Sequence, residues 1–194
     1  MLTLSPIWMP DDGIEKFAVL GLAHNPNLRV TVQEFWVPND TYEPKYPLDT
    51  RKQPTVDHDK TDLAALKKAQ DAYDHDVEAC VAGINQKLGK DAITIVPVGR
   101  AVDALREKIV AGQVPEIQKQ SELFRDPWGH PQAPISVLSG YCHYAVIYKR
   151  SPVGLPIPKE LVSPYHTEAL NRLLQELAWD AVKSCPMSGV TAAK

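Results

Sequence analysis

The chain has 194 residues, 44% hydrophobic and 23% charged, which suits one globular domain and excludes a disordered, collagen-like or coiled-coil chain. Its 21 basic and 24 acidic residues give a net charge of −3, so we expect neither a nucleic-acid partner nor binding to an anionic membrane surface. No run of apolar residues approaches the roughly 20 that a membrane span needs, so no membrane partner is predicted.

The first third of the chain alternates between strand and helix patterns. Residues 2–5 have the pattern of a short strand that Pro6 ends. A helix is predicted over residues 14–23 from apolar residues at three- and four-residue spacing, namely Ile14, Phe17, Ala18 and Gly21. Residues 28–36 are rich in β-branched and aromatic residues and predict the clearest strand.

The middle of the chain predicts a long loop, a long helix and a buried strand. Residues 41–60 contain three prolines and many charges, which is typical of a long functional loop. One apolar stripe runs over residues 61–88, and either Thr61 or Asp62 is suited to cap this helix. The almost continuous apolar run of residues 92–98 indicates a strand that is covered on both faces, as in a parallel sheet.

The last part of the chain predicts helices only. They cover residues 99–110, 134–149 and 166–184. The alternation of strands and helices predicts an α/β fold, a three-layer α/β/α sandwich around a parallel, flavodoxin-like sheet. We expect one domain at residues 1–186 and a loose tail at residues 187–194.

The number of predicted strands is low for such a fold. Three candidates are found, whereas typical sheets have five or six strands. A three-stranded parallel sheet leaves a buried-type strand with an unpaired edge, which natural domains usually avoid. We therefore expect a first strand upstream of Met1, and apolar surface left bare by its absence would favour self-association.

One candidate site residue follows the clearest strand directly. Ligands of open parallel sheets bind at the carboxyl ends of the strands, where Asn39 lies in the segment Val37-Pro38-Asn39-Asp40. Its side-chain amide is suited to donate a hydrogen bond to a developing oxyanion. The alternative is that Pro-Asn-Asp serves only to form a turn.

A second candidate is the pair Asp126 and His130, which Pro-Trp-Gly separates. Proline and glycine hold such a loop in a defined bend, so the carboxylate can fix the imidazole tautomer while the other ring nitrogen acts as general base. The alternative is a capping aspartate beside an ordinary surface histidine.

The usual motifs of nucleophiles, nucleotide sites and zinc sites are missing. The sequence contains no G-x-S-x-G, no glycine-rich phosphate loop and no H-E-x-x-H. Ser5 ends a strand, but Pro6 removes the backbone N–H that an oxyanion hole would need there. The three cysteines are far apart and odd in number, which favours neither disulfides nor a zinc cluster and is typical of small buried residues.

The order of these elements resembles the carboxyl-terminal two-thirds of an SGNH/GDSL-type hydrolase. Val37-Pro38-Asn39-Asp40 resembles the Gly-x-Asn block of that family with Val in place of Gly. Asp126-Pro-Trp-Gly-His130 resembles its Asp-x-x-His block with one extra residue. Residues 141–156 resemble the helix and loop that follow the catalytic histidine. The Gly-Asp-Ser block and the second, glycine block have no counterpart.

The resemblance implies ester hydrolysis, with an acyl group on a small molecule or a carbohydrate as substrate, and neither cofactor nor metal. His130 would take the proton of the nucleophilic serine, Asp126 would orient His130, and Asn39 would donate to the oxyanion. The serine would lie upstream of Met1, so the 194 residues alone are expected to be weak or inactive as an enzyme.

Two alternatives belong to other functional classes. The first is a non-catalytic ligand- or glycan-binding protein that keeps the fold, with aromatic residues stacking on a sugar; the candidates are Trp36, Tyr42, Tyr46 and Trp128. The second is a metal-dependent hydrolase that uses Asp57-His58-Asp59 and Asp74-His75-Asp76. For both acidic histidine segments, a solvated charged surface is the competing interpretation.

Overall fold

The computed structural model describes residues 1–42 and 56–190, and in these ranges three parallel strands form one sheet. They are β1 (Leu2–Leu4), β2 (Val30–Glu34) and β3 (Ile93–Pro97), in that spatial order. The middle strand β2 aligns Val30 with Leu2 on one side and with Ile93 on the other. All three strands therefore end at the same edge of the sheet, which is where a site is expected.

Helices cover both faces of this sheet, which confirms the predicted three-layer α/β/α sandwich. One face packs against the two crossover helices, α1 (Gly13–His24) and α2 (Leu63–Leu88), through a core that includes Ile14, Val32, Tyr73 and Ile95. The other face packs against α3 (Val98–Val110), α4 (Ala133–Tyr148) and α5 (Glu168–Ser184). The core on that side includes Val96, Leu105, Leu138 and Leu174.

The predicted boundaries of helices and strands agree closely with the structure because local signals set them. Asp62, rather than Thr61, caps α2, since its carboxylate accepts hydrogen bonds from the backbone N–H groups of Ala64 and Ala65. Gly89 ends that helix in the left-handed conformation. Of the four apolar residues whose spacing predicted α1, Phe17 does not face the core, since it is 56% exposed.

The two outer edges of the sheet differ. The carbonyl of Met187 accepts a hydrogen bond from the Ile95 N–H at 2.9 Å, and Ser188 is buried, so the segment after α5 covers part of the β3 edge. The predicted loose tail therefore starts later than residue 187. Among the described residues β1 pairs with β2 alone, and a further strand at its open edge stays a prediction.

Three other predictions concern the cysteines, membrane spans and the long loop. Cys142 and Cys185 are buried as expected, whereas Cys80 is half-buried; all three are free thiols. In the described ranges no helix has the length and apolar character needed to cross a membrane. Most of the predicted long loop, residues 43–55, lies outside the described residues.

Candidate functional site

The end of β2 is joined directly to the loop that carries Asp126 and His130. Trp36, only 5% exposed, lies two residues beyond β2, and its indole Nε1–H donates to the carbonyl of Gly129 at 2.9 Å. Gly129 has φ +79°, a conformation that side chains rarely adopt, and this turn brings its carbonyl against the indole. Trp36 thereby fixes the position of the loop relative to the sheet.

The loop itself is closed by short-range hydrogen bonds. One carboxylate oxygen of Asp126, Oδ1, accepts from the backbone N–H groups of Trp128 at 3.0 Å and His130 at 3.2 Å. The Arg125 N–H donates to the His130 carbonyl at 2.9 Å, and Phe124 forms an antiparallel bridge with Pro131. The bend predicted from Pro-Trp-Gly is present, and the chain itself holds it in place.

The structure brings Asp126 and His130 together. The other oxygen of Asp126, Oδ2, lies 2.7 Å from His130 Nδ1, so Nδ1 donates to the carboxylate; in a neutral imidazole ring the lone pair is then on Nε2. Burial opposes ionisation of Asp126, but the hydrogen bonds from the His130 ring and backbone outweigh it and lower the pKa of the carboxyl. The His130 side chain is 55% exposed, so an incoming substrate can reach it.

Asn39 lies in a tight turn three residues beyond Trp36. The turn Pro38–Asp40 places Asn39 and Asp40 at φ +57° and +55°, a strained conformation that asparagine and aspartate tolerate best. Asn39 Oδ1 is buried without a hydrogen-bond partner among the described residues. Oδ1 can only accept a hydrogen bond, whereas an oxyanion needs the Nδ2 donor, so the predicted role of Asn39 as an oxyanion donor stays a prediction.

Sequence reasoning missed the most densely bonded residue of this region, Asp40. Its carboxylate accepts two hydrogen bonds from Arg106, at 2.5 and 2.9 Å, one from His58 Nδ1 at 2.9 Å and one from the Thr61 hydroxyl. Burial alone would raise the pKa of Asp40, but these donors hold it well below its usual range. Arg106 is buried as well, and its Nε–H donates to Gln120 at 2.7 Å.

The prediction that His58 belongs to a solvated surface is wrong. His58 is 5% exposed, and its Nε2 is buried without a partner among the described residues. A signal was present on α3, where Arg106 lies beside the inward-facing Val102, Leu105 and Ile109; a cation in that register requires a buried anion. Nothing in the sequence identifies Asp40 as that anion.

The Asp40 network touches the other side of the His130 loop. The His58 ring packs on the Phe124 ring with centroids 4.3 Å apart, and the Arg106 guanidinium lies 5.5 Å from the centre of the same ring. Phe124 is the residue that pairs with Pro131 at the base of the loop. Trp36 on one side and Phe124 on the other thus join the Asn39–Asp40 turn to the Asp126–His130 loop.

A second cluster of carboxylates lies around Arg100. Glu34, Glu78 and Cys185 place potential metal ligands within 4.8 Å of one another in the described part of the chain. Arg100 donates to Glu34 at 2.9 and 3.0 Å and to Glu78, and it lies 3.1 Å from Asp74. The cluster is thus an ion-pair network in which the Arg100 guanidinium is the cation, and this side chain accounts for the acidic residues without a metal ion.

Neither of the acidic histidine segments forms a metal site in the described residues. His75 is exposed on α2, in a pocket of about 300 Å³ that Asp74, Arg100 and Asp103 also line. His58 pairs with Asp40 instead of with a second histidine.

Seven of the eight serine hydroxyls, all of them in the described residues, form hydrogen bonds, and none of these is with His130. Ser5 accepts from Gln33 at 3.4 Å, and Gln33 also bonds His143, whose pKa burial lowers. The other hydrogen-bonded serines contact carboxylates, backbone groups or Gln33; these are Ser121, Ser136, Ser139, Ser151, Ser184 and Ser188. No described serine hydrogen-bonds His130.

The aromatic residues expected to stack on a sugar have other contacts. Trp36 packs on Phe35 with ring centroids 4.1 Å apart, and the Tyr42 hydroxyl donates to Asp76 at 2.7 Å. Trp128 is half-buried in the His130 loop, and Tyr46 lies outside the described residues. Among the described members of this set, Trp128 is the one that lies in the His130 loop.

Comparisons of the chain with protein-family models, with curated proteins and with solved structures find no match.

Proposed function

We propose that this chain carries the acid–base half of a serine esterase of the SGNH/GDSL type. The observation that carries the proposal is the 2.7 Å contact between His130 Nδ1 and Asp126 Oδ2 on a histidine side chain that is 55% exposed. This is the arrangement that lets a carboxylate fix the tautomer of a histidine base. The loop is held at the carboxyl edge of a parallel sheet, where ligands of such sheets bind.

The proposed reaction transfers an acyl group in two steps. His130 Nε2 takes the proton of the serine hydroxyl while the serine oxygen attacks the ester carbonyl, and Asp126 stabilises the imidazolium that forms. The Asn39 amide donates to the oxyanion of the tetrahedral intermediate. His130 then returns the proton to the leaving alcohol, and water cleaves the acyl-enzyme by the same route. Acylated small molecules or carbohydrates are the proposed substrates.

The nucleophile in this proposal lies outside residues 1–194, upstream of Met1. The hydrogen bonds of the described serines support this, since none of them is directed to His130. The chain by itself is then expected to hydrolyse short-chain aryl esters no faster than its His130→Ala variant.

The test compares this chain with the longer polypeptide that its reading frame encodes upstream of Met1. In the longer protein, His130→Ala should lower kcat for an aryl acetate by at least roughly 10³-fold, Asp126→Asn by about 10⁴-fold and Asn39→Ala by about 10²-fold. His75→Ala is the control, because this histidine is exposed on α2, and it should leave kcat unchanged.

Two results would contradict the proposal in different ways. A robust His130-dependent rate from the 194 residues alone would show that the nucleophile lies within them. Full activity of the longer His130→Ala protein would show that His130 is not the base. Specific glycan binding that survives His130→Ala, without turnover, would favour the non-catalytic alternative.

A further inference from the structure

Helix α4 and the chain that follows it form a pocket of about 340 Å³ that neither His130 nor the Asp40 network lines. One side of α4 supplies residues at three- and four-residue spacing, and residues 155–160 supply the facing wall. The lining is mainly apolar and consists of Ser136, Val137, Gly140, Tyr141, Tyr144, Leu155, Pro158 and Glu160. A concave site of this size with such a lining is typical of small-molecule binding.

The facing wall of the pocket is fixed by two buried side chains of α5, Gln175 and Asn171. Gln175 accepts a hydrogen bond from the Gly154 N–H at 2.9 Å and donates one to the Leu155 carbonyl at 2.8 Å. Asn171 donates to the same carbonyl at 3.2 Å and accepts from the Tyr141 hydroxyl at 2.5 Å. The pocket is therefore formed before a ligand arrives, and little free energy is lost in ordering it.

Gly140 forms the floor of the pocket. It lies in the middle of α4, where glycine costs about 1 kcal/mol of stability relative to alanine. A Cβ atom at this position would meet no atom of another element within 4 Å, so packing does not require a glycine here. A larger side chain would extend into the space that Val137 and Tyr144 border, and the glycine thus keeps this space open.

The charge and the aromatic rings of the pocket favour a cation as its ligand. Glu160 is the charged member of the lining; its side chain is exposed and takes part in none of the ion pairs of the described ranges. Tyr144 is half-buried, and the ring centroid of Tyr148, one turn further along α4, lies 4.9 Å from that of Tyr144. The faces of aromatic rings attract cations, most strongly where water is partly excluded. The net charge of −3 adds to this preference.

We infer that this pocket binds a small organic cation whose ammonium nitrogen is methylated. The ammonium group lies against the Tyr144 ring with Glu160 nearby, and the apolar part of the ligand contacts Val137, Leu155 and Pro158. A primary ammonium group would lose hydrogen bonds to water that this mainly apolar lining cannot replace, whereas a fully methylated one has none to lose. This inference is independent of the proposed esterase function.

An amide NMR titration of the isotope-labelled chain with choline tests the inference. Choline carries a trimethylammonium group, and its analogue with carbon in place of that nitrogen has the same shape without the charge. Choline should bind with a Kd of about 1 mM or lower and shift the amide signals of Gly140, Tyr144 and Leu155, whereas the analogue should bind at least about tenfold more weakly. Tyr144→Leu keeps an apolar side chain but removes the ring, and it should weaken choline binding about fivefold. Glu160→Gln should weaken it about threefold, because its carboxylate is exposed.

Matched controls separate the pocket from general effects on the chain. Gly140→Leu fills the pocket and should abolish binding, whereas Gly83→Leu places the same side chain at a glycine of α2 that also has open space beside it, and it should not change the Kd. Glu168→Gln removes the same charge as Glu160→Gln from an exposed position on α5 and should likewise have no effect. Circular dichroism shows whether each variant is folded, and Tyr144→Leu decides the matter if Gly140→Leu is not. The absence of saturable choline binding, equal affinity for the uncharged analogue, or unchanged binding by the Tyr144→Leu variant would each overturn the inference.

Discussion

The molecule contains two aspartate–histidine pairs that use the same atoms in opposite environments. In both, a carboxylate oxygen accepts from histidine Nδ1, at 2.9 Å for Asp40 and His58 and at 2.7 Å for Asp126 and His130. The first pair is buried beside Arg106, whereas the second lies on an exposed loop. Nε2 of His58 is enclosed by protein, so that ring cannot meet a substrate.

This difference shows that the hydrogen bond alone does not make a catalytic pair. Inside the protein, the Asp40 carboxylate is paired with Arg106 and accepts a hydrogen bond from Thr61, which suits a structural role. The Asp126 pair is held by its own loop and by Trp36, and one ring nitrogen is left available. Access to Nε2, rather than the carboxylate contact, separates the proposed base from its structural counterpart.

The largest expected effect comes from removing Asp40. Asp40→Ala leaves the Arg106 guanidinium buried without its carboxylate, which should lower the free energy of unfolding by about 3–5 kcal/mol. Asp126→Ala should lower it by at most about 1 kcal/mol, because that carboxylate lies near the surface. Urea unfolding of the two variants measures both values, and equal losses would remove the distinction between the pairs.

An intermediate effect is expected from the contact that fixes the His130 loop. Trp36→Phe keeps the aromatic packing on Phe35 but leaves the buried Gly129 carbonyl without its donor, which should cost about 1–2 kcal/mol. Trp128→Phe is the control, since its indole makes no hydrogen bond in the described part of the chain, and it should cost within about 0.5 kcal/mol. The same urea titration applies; a neutral Trp36→Phe would mean that the loop is held by Phe124 instead.

The smallest effect concerns a third carboxylate near Arg106. Burial, more than any other cause, raises the pKa of Asp103 to about 7. The positive charge of Arg106 opposes this rise, but the hydrogen bonds of Arg106 go to Asp40 and Gln120. The folded state thus prefers the protonated form, and stability should fall as the pH rises from about 4, the pKa of an unfolded aspartate, to about 7. Because Asp103 is only half-buried and lines a pocket, solvent screens much of this penalty, and Asp103→Asn should remove this part of the pH dependence and stabilise the protein by about 1 kcal/mol at pH 8.

Thermal unfolding at pH 5 and pH 8 checks the Asp103 prediction. The wild type should lose more stability between these values than Asp103→Asn does. If the two proteins respond to pH alike, the carboxyl of Asp103 is ionised in the folded state throughout this range.

The sequence alone determined the elements of the fold, since their signals are local. The β-branched residues of β2 and β3, the apolar spacing of the helices and the Asp62 cap lie within a few residues of the structure that they specify. The Asp126–His130 contact belongs to the same class, because both residues lie in one loop whose bend Pro127 and Gly129 encode.

Only the tertiary structure decided which polar groups became internal. Asp40, Thr61 and Arg106 are brought together from three separate elements, and His58, flanked by two aspartates, gave no local sign of burial. The exposure of Phe17 was likewise undecided, because the helical spacing that places a residue on an apolar stripe does not say what covers that stripe. Local patterns set the path of the backbone, whereas burial depends on which distant segments pack against it.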